Sequence, residues 1–186
     1  MTTLFTLIGL FLGLVLSARS IHQRLQRLRN GLESAWIEVD RQLQKRYEVT
    51  GRLLQGCPDC SALDPARLEK MSQSLSAAMH LVSPREKAPA ENRFQQALHG
   101  CLKQSALSPE AAHSTPLALL RRQLQEIENE LETAVENYNT IVRDYNATIS
   151  YFPSHIIASR FHFVAGEAFP LDTMGSEGKT HPEKAA

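Results

Sequence analysis

The chain lacks an excess of charge of either sign and has few aromatic side chains. Lysine and arginine together number 20, as do aspartate and glutamate, and aromatic residues make up 6% of the sequence. A nucleic-acid-binding surface needs clustered cations, and a single-strand platform needs aromatic rings on which bases can stack. We therefore expect no nucleic-acid partner.

Motifs for catalysis are also lacking. The sequence contains neither a G-x-S-x-G nucleophile motif nor a glycine-rich phosphate loop. Five glutamates crowd one stretch: Glu126, Glu128, Glu130, Glu132 and Glu136. None of them begins a Glu-x-x-His motif of the kind that completes di-iron sites in helical bundles. We interpret them as a solvated acidic face, and we expect neither enzymatic activity nor a cofactor.

Cysteine is scarce and odd in number, with Cys57, Cys60 and Cys101 only. The absence of a disulfide-rich composition indicates reduced thiols. The C-x-x-C spacing of Cys57 and Cys60 leaves a remote hypothesis of metal binding or redox exchange. A zinc site needs two more ligands in a second paired spacing, however, and a thioredoxin-like motif needs a βαβ unit. A loop without chemistry is the favoured interpretation, and we expect no metal.

Glycine and proline are few, nine of each, and the prolines stand mainly at segment borders, which favours long helices. Apolar residues at steps of three and four predict one helix that continues from the N-terminal segment and breaks within the region from Gly51 to Asp64. Asp64-Pro65 predicts the start of a second helix, ending near Ser83. A loop over residues 83–89 and a short third helix follow. The strongest pattern runs from Thr115 to Phe152, so we expect an all-α fold with an antiparallel bundle of about four helices.

The N-terminal residues 1–18 contain no charged side chain. As a helix they measure about 27 Å, against about 30 Å for the hydrocarbon core of a bilayer. A signal peptide is the alternative, but no Lys or Arg precedes the apolar run and no A-x-A-like site precedes Arg19. We therefore expect a transmembrane anchor over residues 1–19 that contacts the lipid bilayer through residues 1–18.

Arginines follow the apolar segment, at Arg19, Arg24, Arg27 and Arg29. The positive-inside rule then places the N-terminus outside and the body in the cytoplasm of a single-pass protein. We expect residues 20–170 to form the helical bundle and residues 171–186, which are poor in apolar side chains, to be a disordered tail. Phe161, Phe163 and Phe169 are expected to fold back on the end of the bundle, with an interfacial or partner-binding patch as the alternative.

Two Tyr-Asn pairs, Tyr138-Asn139 and Tyr145-Asn146, lie seven residues apart on the last long helix. Both tyrosines therefore share one helix face and both asparagines an adjacent one. The structural interpretation is that the rings fill a seam and the amides fix its register. The functional hypothesis is a partner-docking groove, to which Trp36 and Asp40 of the first helix also belong.

Four cations near the end of the first helix could form a solvated face or bind lipid. They are Arg41, Lys45, Arg46 and Arg52. Because an upright helix would carry them beyond the lipid headgroups, we interpret them as a solvated face that balances the glutamates.

A series of short stretches resembles the LemA family in order and spacing. They are Arg27-Leu28-Arg29-Asn30, Ala35-Trp36-Ile37-Glu38-Val39-Asp40-Arg41-Gln42-Leu43, Lys45-Arg46-Tyr47, Glu91-Asn92-Arg93-Phe94, Ala97-Leu98, Leu124 to Glu128, Tyr138-Asn139, Val142, Tyr145-Asn146, Phe152-Pro153, Ile157-Ala158, Phe161-His162-Phe163 and Phe169. The resemblance implies a bacterial membrane protein with one N-terminal span, an extracytoplasmic N-terminus and a helical bundle. It implies no particular activity. The sequence departs from the family pattern at Val49 to Leu54 and at the C-x-x-C.

These observations together predict a membrane-anchored interaction module. An anchor joined to a well-patterned bundle without catalytic motifs indicates an adaptor that docks another protein at the bacterial inner membrane. The alternative is a structural membrane protein that self-associates into a homo-oligomer. Metal or redox chemistry at Cys57 and Cys60 is the remote alternative.

Overall fold

The computed structural model describes residues 2–56, 64–107 and 115–171, which are helical throughout most of their length and contain no strand. The helices are α1 (Thr2–Gly56), α2 (Pro65–Met79), α3 (Pro84–Leu107), α4 (Thr115–Ser150) and α5 (Ser154–Arg160). The predicted all-α fold is confirmed. Cys57, Cys60 and the predicted tail beyond Leu171 lie outside the described residues.

Helix α1 is continuous over 55 residues, as the absence of a turn signal predicts. The helix ends at Gly56, inside the region from Gly51 to Asp64 where a break is predicted, although Gly51 itself is still helical. A helical glycine costs about 1 kcal/mol relative to alanine. Burial of Val49, Thr50 and Leu53 on either side offsets that cost, since these side chains are at most 7% exposed.

Helix α2 begins as Asp64-Pro65 predicts. The Asp64 carboxylate accepts a hydrogen bond of 3.1 Å from the amide of Ala66, and Pro65 occupies the first helical position. The helix ends at Met79, four residues before the predicted end at Ser83.

The predicted loop over residues 83–89 is wrong. Pro84 is the first residue of α3, where a missing amide costs nothing, and the amide of Lys87 donates to the carbonyl of Ser83 at 2.9 Å. Pro89 lies inside the helix, flanked by the buried Ala88 and Ala90. Helix α3 is therefore 24 residues long rather than short, because packing on both sides of Pro89 outweighs the hydrogen bond that proline cannot make.

The described chain divides into two compact units, and α1 and α4 run through both. Unit 1 comprises residues 1–38 and 136–168, and unit 2 comprises residues 39–135 and 169–186. In unit 1 the Trp36 ring lies 5.3 Å from that of Tyr138, and Arg29 acts electrostatically on Tyr145. The earlier residue of α1 thus lies near the later residue of α4, so the two helices are antiparallel, as predicted.

Unit 2 has an apolar core to which α1, α2, α3 and α4 all contribute. Its largest members with at most 1% exposure are Leu43, Leu53, Met71, Phe94, Leu98, Leu117, Leu124, Leu131 and Phe169. Two long helices thus share one core with the shorter α2 and α3, which is the arrangement of a helical bundle.

The first part of α1 is apolar and unburied. Its most apolar window has a mean hydropathy of 2.0, and none of that window is buried. Phe5 is 69% exposed and Leu10 is 75% exposed. By length and composition this helix is able to cross a membrane, a property that anchors and N-terminal signal sequences share.

Candidate functional site

The segment after α5 has no regular secondary structure, and we call residues 163–171 the C-terminal strap. It begins at a helix end where His162 adopts a left-handed conformation with φ of 55°. The amide of Phe163 donates to the carbonyl of Ala158 at 3.0 Å, and that of His162 donates to Ser159 at 3.5 Å. This pair of bonds is the Schellman arrangement, which ends a helix and redirects the chain.

His162→Gly is expected to stabilise the protein, because glycine occupies the left-handed region without the steric cost of a Cβ atom. We expect a gain of up to about 1 kcal/mol in the free energy of unfolding, measured by chemical denaturation in mild detergent. Ser154→Gly, at the start of the same helix, is the control and should destabilise. A loss of stability in His162→Gly would show that the imidazole contributes more than its backbone strain costs.

Two residues of α4 singled out by the sequence bind this strap within unit 1. The Tyr138 hydroxyl donates to the carbonyl of Glu167 at 2.6 Å. The Asn146 side chain donates to the Gly166 carbonyl at 2.9 Å and accepts from the Gly166 amide at 2.8 Å. Asn146 therefore satisfies both backbone groups of Gly166 with one amide, as a neighbouring strand would. These bonds occupy the surface that the docking hypothesis assigns to a partner.

Gly166 fits closely against unit 1. A Cβ atom at this position would lie 2.7 Å from Cδ1 of Leu32 and 3.6 Å from Tyr145 and from Val142. The buried Tyr145 ring, 3% exposed, thus packs against the strap at Gly166. The absence of a side chain at residue 166 lets the backbone approach Asn146.

The remaining candidates are not all brought together. Trp36 packs against Tyr138, and Asn139 is half-buried on the adjacent face of α4. Asp40 belongs to unit 2, where it accepts a 3.3 Å hydrogen bond from Nζ of Lys87 on α3. Five of the six candidates thus lie in unit 1. The sixth, Asp40, lies in unit 2 and pairs with Lys87. A docking role for these residues stays a prediction.

Burial changes the ionisation of the two tyrosines. It raises the pKa of Tyr138 to about 12, with the charge of Glu167 as the second cause. It also raises the pKa of Tyr145, and the nearby Arg29 opposes that rise. The Tyr138 hydroxyl therefore keeps its proton, and remains a hydrogen-bond donor to the strap, at neutral and moderately alkaline pH.

The Tyr138 bond is expected to weaken only in strong alkali. The folded protein holds this proton more tightly than the unfolded chain, in which the tyrosine pKa is about 10. The linked stabilisation is therefore complete below about pH 10 and is lost as the pH rises toward the folded value. We expect wild type to lose stability relative to Tyr138→Phe between about pH 10 and about pH 12, measured by denaturation. A difference that stays constant over this range would contradict the assignment.

A buried ion pair is the largest polar feature of unit 2. Arg46 on α1 and Glu91 on α3 are both 0% exposed, and Nη2 of Arg46 donates to the Glu91 carboxylate. The Tyr47 hydroxyl donates to the same carboxylate, and the Arg46 guanidinium lies 5.1 Å from the centre of the Phe94 ring. We call these four residues the Arg46 cluster. Buried charges are tolerated when they are paired and hydrogen-bonded, and the Glu91 carboxylate meets this requirement for one of the three guanidinium nitrogens of Arg46.

The predicted solvated basic strip is wrong for Arg46. Arg41 and Arg52 are exposed, and Lys45 pairs with Glu130 at 3.0 Å with both side chains partly exposed. Arg46 instead lies three residues from Leu43 and faces the core of unit 2. A count of cations along the helix does not separate the core face from the solvent face.

The prediction of a solvated acidic face is confirmed for four of the five glutamates. Glu126, Glu130, Glu132 and Glu136 are exposed, whereas Glu128 is half-buried. Burial raises the pKa of Glu128, and the positive charges of Arg46 and His99 oppose the rise. Burial also raises the pKa of Glu91 against the opposing effect of Arg46.

A small cavity of about 30 Å³ adjoins the Arg46 cluster, and Arg46, Gln95 and Glu128 contribute to its lining. Within the described chain, Nε and Nη1 of Arg46 and Oε1 of Gln95 are buried without a hydrogen-bond partner. The volume is that of about one water molecule, which could bridge these donors and this acceptor. The cavity is too small for an organic substrate.

A wider groove lies between α2 and α3, with a volume of about 780 Å³. Its floor consists of small residues and its rim carries three exposed cations. The lining residues are Ala66, Arg67, Lys70, Gln73, Ser74, Ala77, Ala90, Arg93, Gln96, Ala97 and Gly100. No acidic side chain is among them, so the groove has a positive rim.

Metal chemistry finds no ligand set in the described ranges, where no group of three His, Cys, Asp or Glu side chains is placed to hold an ion. Cys101 is buried, its Sγ lies 3.7 Å from the carbonyl of Arg67, and burial raises its thiol pKa. The hypothesis of a metal or redox site at Cys57 and Cys60 falls outside the described residues and stays a prediction.

An exposed apolar N-terminal helix followed by antiparallel long helices defines a class of all-α proteins with a membrane anchor or signal sequence at the N-terminus. The model of the LemA family matches residues 35–183, which is most of the chain. The protein belongs to the LemA family, as its short motifs indicate. No curated protein matches the sequence.

Family motifs supply the residues of the Arg46 cluster that sequence reasoning missed. Lys45-Arg46-Tyr47 and Glu91-Asn92-Arg93-Phe94 both belong to the stretches that carry the LemA resemblance. Each combines an ionisable residue with an aromatic residue at apolar helix spacing. That combination could have identified the buried pair. A charged residue on the same helix face as Leu43 or Leu98 lies on the face that packs in the core, so it is expected to be buried.

Proposed function

We propose that this LemA protein is a non-enzymatic adaptor, held in the bacterial inner membrane by α1, whose bundle docks an acidic segment of another protein in the cytoplasm. The groove between α2 and α3 is the observation that supports docking. The arginines after the apolar segment support the cytoplasmic orientation.

The groove suits a polypeptide better than a small metabolite. The lining side chains of Ala77, Ala90 and Ala97 are small, which lets a backbone approach the two helices closely, and the groove is open to solvent rather than enclosed like a metabolite pocket. Its length follows two packed helices, which is the shape that accepts an amphipathic helix.

The rim selects the charge of the occupant. Arg67, Lys70 and Arg93 lie at the groove, whose lining residues include no acid. The Asp64 carboxylate, outside the lining, lies 3.9 Å from Nε of Arg67, so Lys70 and Arg93 contribute most of the net positive charge of the rim. Complementary charge steers association and disfavours partners of the same sign. The occupant that fits is therefore a segment rich in aspartate or glutamate with small or apolar residues between them.

Site-specific photocrosslinking in native membranes tests this proposal. A photoreactive phenylalanine analogue in place of Gln96, an exposed residue of the groove lining, should form one dominant adduct with a single partner protein. The same probe at Lys103, exposed on α3 but not part of the groove lining, is the control and should not form it.

Charge reversal provides the matched comparison. Lys70→Glu with Arg93→Glu should abolish the adduct, whereas Arg85→Glu with Lys103→Glu, two exposed cations of α3 outside the groove, should preserve it. Circular dichroism should be the same for both double variants. An adduct that persists after reversal in the groove, or one formed only with a second copy of this chain, would contradict the adaptor and favour self-association.

A further inference from the structure

A group of large apolar side chains around α5 is exposed. The exposed fractions are 73% for Tyr151, 81% for Phe152, 53% for Ile156, 55% for Phe161 and 78% for Val164. We call these five residues the α5 surface. Exposed apolar groups of this kind are uncommon on soluble monomers and mark membrane or partner contacts. The predicted packing of Phe161 on the bundle is therefore only partial, whereas Phe169 is fully buried.

Ring contacts within unit 1 place the α5 surface next to the apolar part of α1. The His22 ring lies 4.5 Å from the Phe161 ring and 5.7 Å from that of Phe163. His22 follows Ala18, the end of the uncharged stretch, by four residues, or about 6 Å of helix. Headgroups occupy about 5–8 Å on each side of a hydrocarbon core of about 30 Å. Phe161 therefore lies at headgroup height when residues 1–18 span the bilayer.

The charges at this end of unit 1 suit anionic lipid. Arg19, Arg24 and Arg27 of α1 and Arg160 of α5 are exposed. The two chain stretches that form this end, residues 2–32 and 145–166, contain no aspartate or glutamate. Cations beside aromatic and aliphatic side chains, without acidic neighbours, are typical of segments that lie in the membrane interface.

We propose that the α5 surface is a second membrane contact, which inserts Phe152 and its neighbours between anionic headgroups beside the transmembrane segment. The inference rests on the membrane anchor of the proposed function. Two contacts with one bilayer would fix the tilt of the bundle, whereas a single spanning helix leaves the helix and its attached bundle free to tilt and turn together. Lipid is favoured over a protein partner because the surface is continuous with the anchor and because its charges are all of one sign.

Depth-dependent fluorescence quenching tests this placement with the full chain in vesicles of phosphatidylcholine and phosphatidylglycerol. Trp36→Phe removes the only tryptophan, and single tryptophans are then introduced by Leu10→Trp, Phe152→Trp or Leu119→Trp. Leu119 is the matched control, an apolar residue of unit 2 that is 58% exposed. The probes are lipids brominated either near the headgroup or near the end of the acyl chain.

We expect Leu10→Trp to lose most emission with the deep bromines and Phe152→Trp with the shallow ones, while Leu119→Trp is unaffected. If Leu10→Trp is quenched but Phe152→Trp behaves like Leu119→Trp, the α5 surface is not in the interface, although the anchor stands. If Leu10→Trp is not quenched either, the anchor itself is wrong and the inference fails with it. Phe152→Trp shielded from both bromolipids and aqueous iodide would assign the surface to a protein contact instead.

Discussion

Replacing Glu91 with alanine should lower the free energy of unfolding by about 3 to 5 kcal/mol, because it leaves the Arg46 guanidinium buried without its counter-ion. Arg46 is 0% exposed, and Glu91 also accepts the hydrogen bond of Tyr47. Chemical denaturation in mild detergent measures the change. Should Glu91→Ala fail to fold, Glu91→Gln supplies the milder variant, which keeps the shape of the side chain and one acceptor oxygen but removes the charge and the second acceptor.

Two comparisons isolate the effect of burial in this prediction. Glu33→Ala removes an exposed ion pair with Arg29, in which both side chains are 58% exposed, and should cost at most about 1 kcal/mol. Arg46→Met combined with Glu91→Leu replaces both charges by apolar groups and should recover much of the loss. A Glu91→Ala variant no less stable than Glu33→Ala would mean that the pair does not hold the four-helix unit together.

Asn146→Ala should release the C-terminal strap from unit 1. The substitution leaves both backbone groups of Gly166 without their partner, which costs about 1 to 3 kcal/mol of local stability. Hydrogen exchange of peptides covering residues 163–169 should therefore accelerate by roughly 5- to 150-fold. Mass spectrometry measures it without requiring global unfolding.

Thr148→Ala is the control for the strap. Its hydroxyl donates within α4 to the carbonyl of Asp144, so its removal should leave exchange in residues 163–169 unchanged. Equal protection in Asn146→Ala and wild type would show that the strap is held elsewhere. Increased partner capture by Asn146→Ala would instead show that the strap competes for the surface that the Tyr-Asn pairs were expected to offer.

The long helices could be predicted because their apolar periodicity persists over many turns. Helix α4 is predicted to end at Phe152-Pro153 and ends at Ser150, since local proline geometry dominates there. The prediction of a loop between α2 and α3 was wrong because tertiary packing, not local proline geometry, decides the structure there. Pro84 and Pro89 both signal breaks, yet one occupies a first helical turn and the other is retained by the burial of its neighbours, which depends on tertiary packing.

The site was partly predictable for related reasons. The Tyr-Asn repeat identified Tyr138 and Asn146 as unusual. It did not show that they would form hydrogen bonds with a backbone segment of the same chain some 20 residues away. Arg46 was missed because a helix pattern shows which residues share a face and leaves open which neighbours that face meets. Glu91 lies 45 positions along the chain, so their pairing is visible only once the helices are packed.

The central claim is that residues 1–18 remain attached and hold the bundle in the membrane. Intact-mass spectrometry of the protein recovered from carbonate-washed bacterial membranes tests it most directly. We expect a chain that retains residues 1–18 in the membrane fraction, without a shorter soluble form. A chain shortened at its N-terminus by the apolar segment and recovered in the soluble fraction would show a cleaved signal sequence, and the anchored adaptor would be wrong.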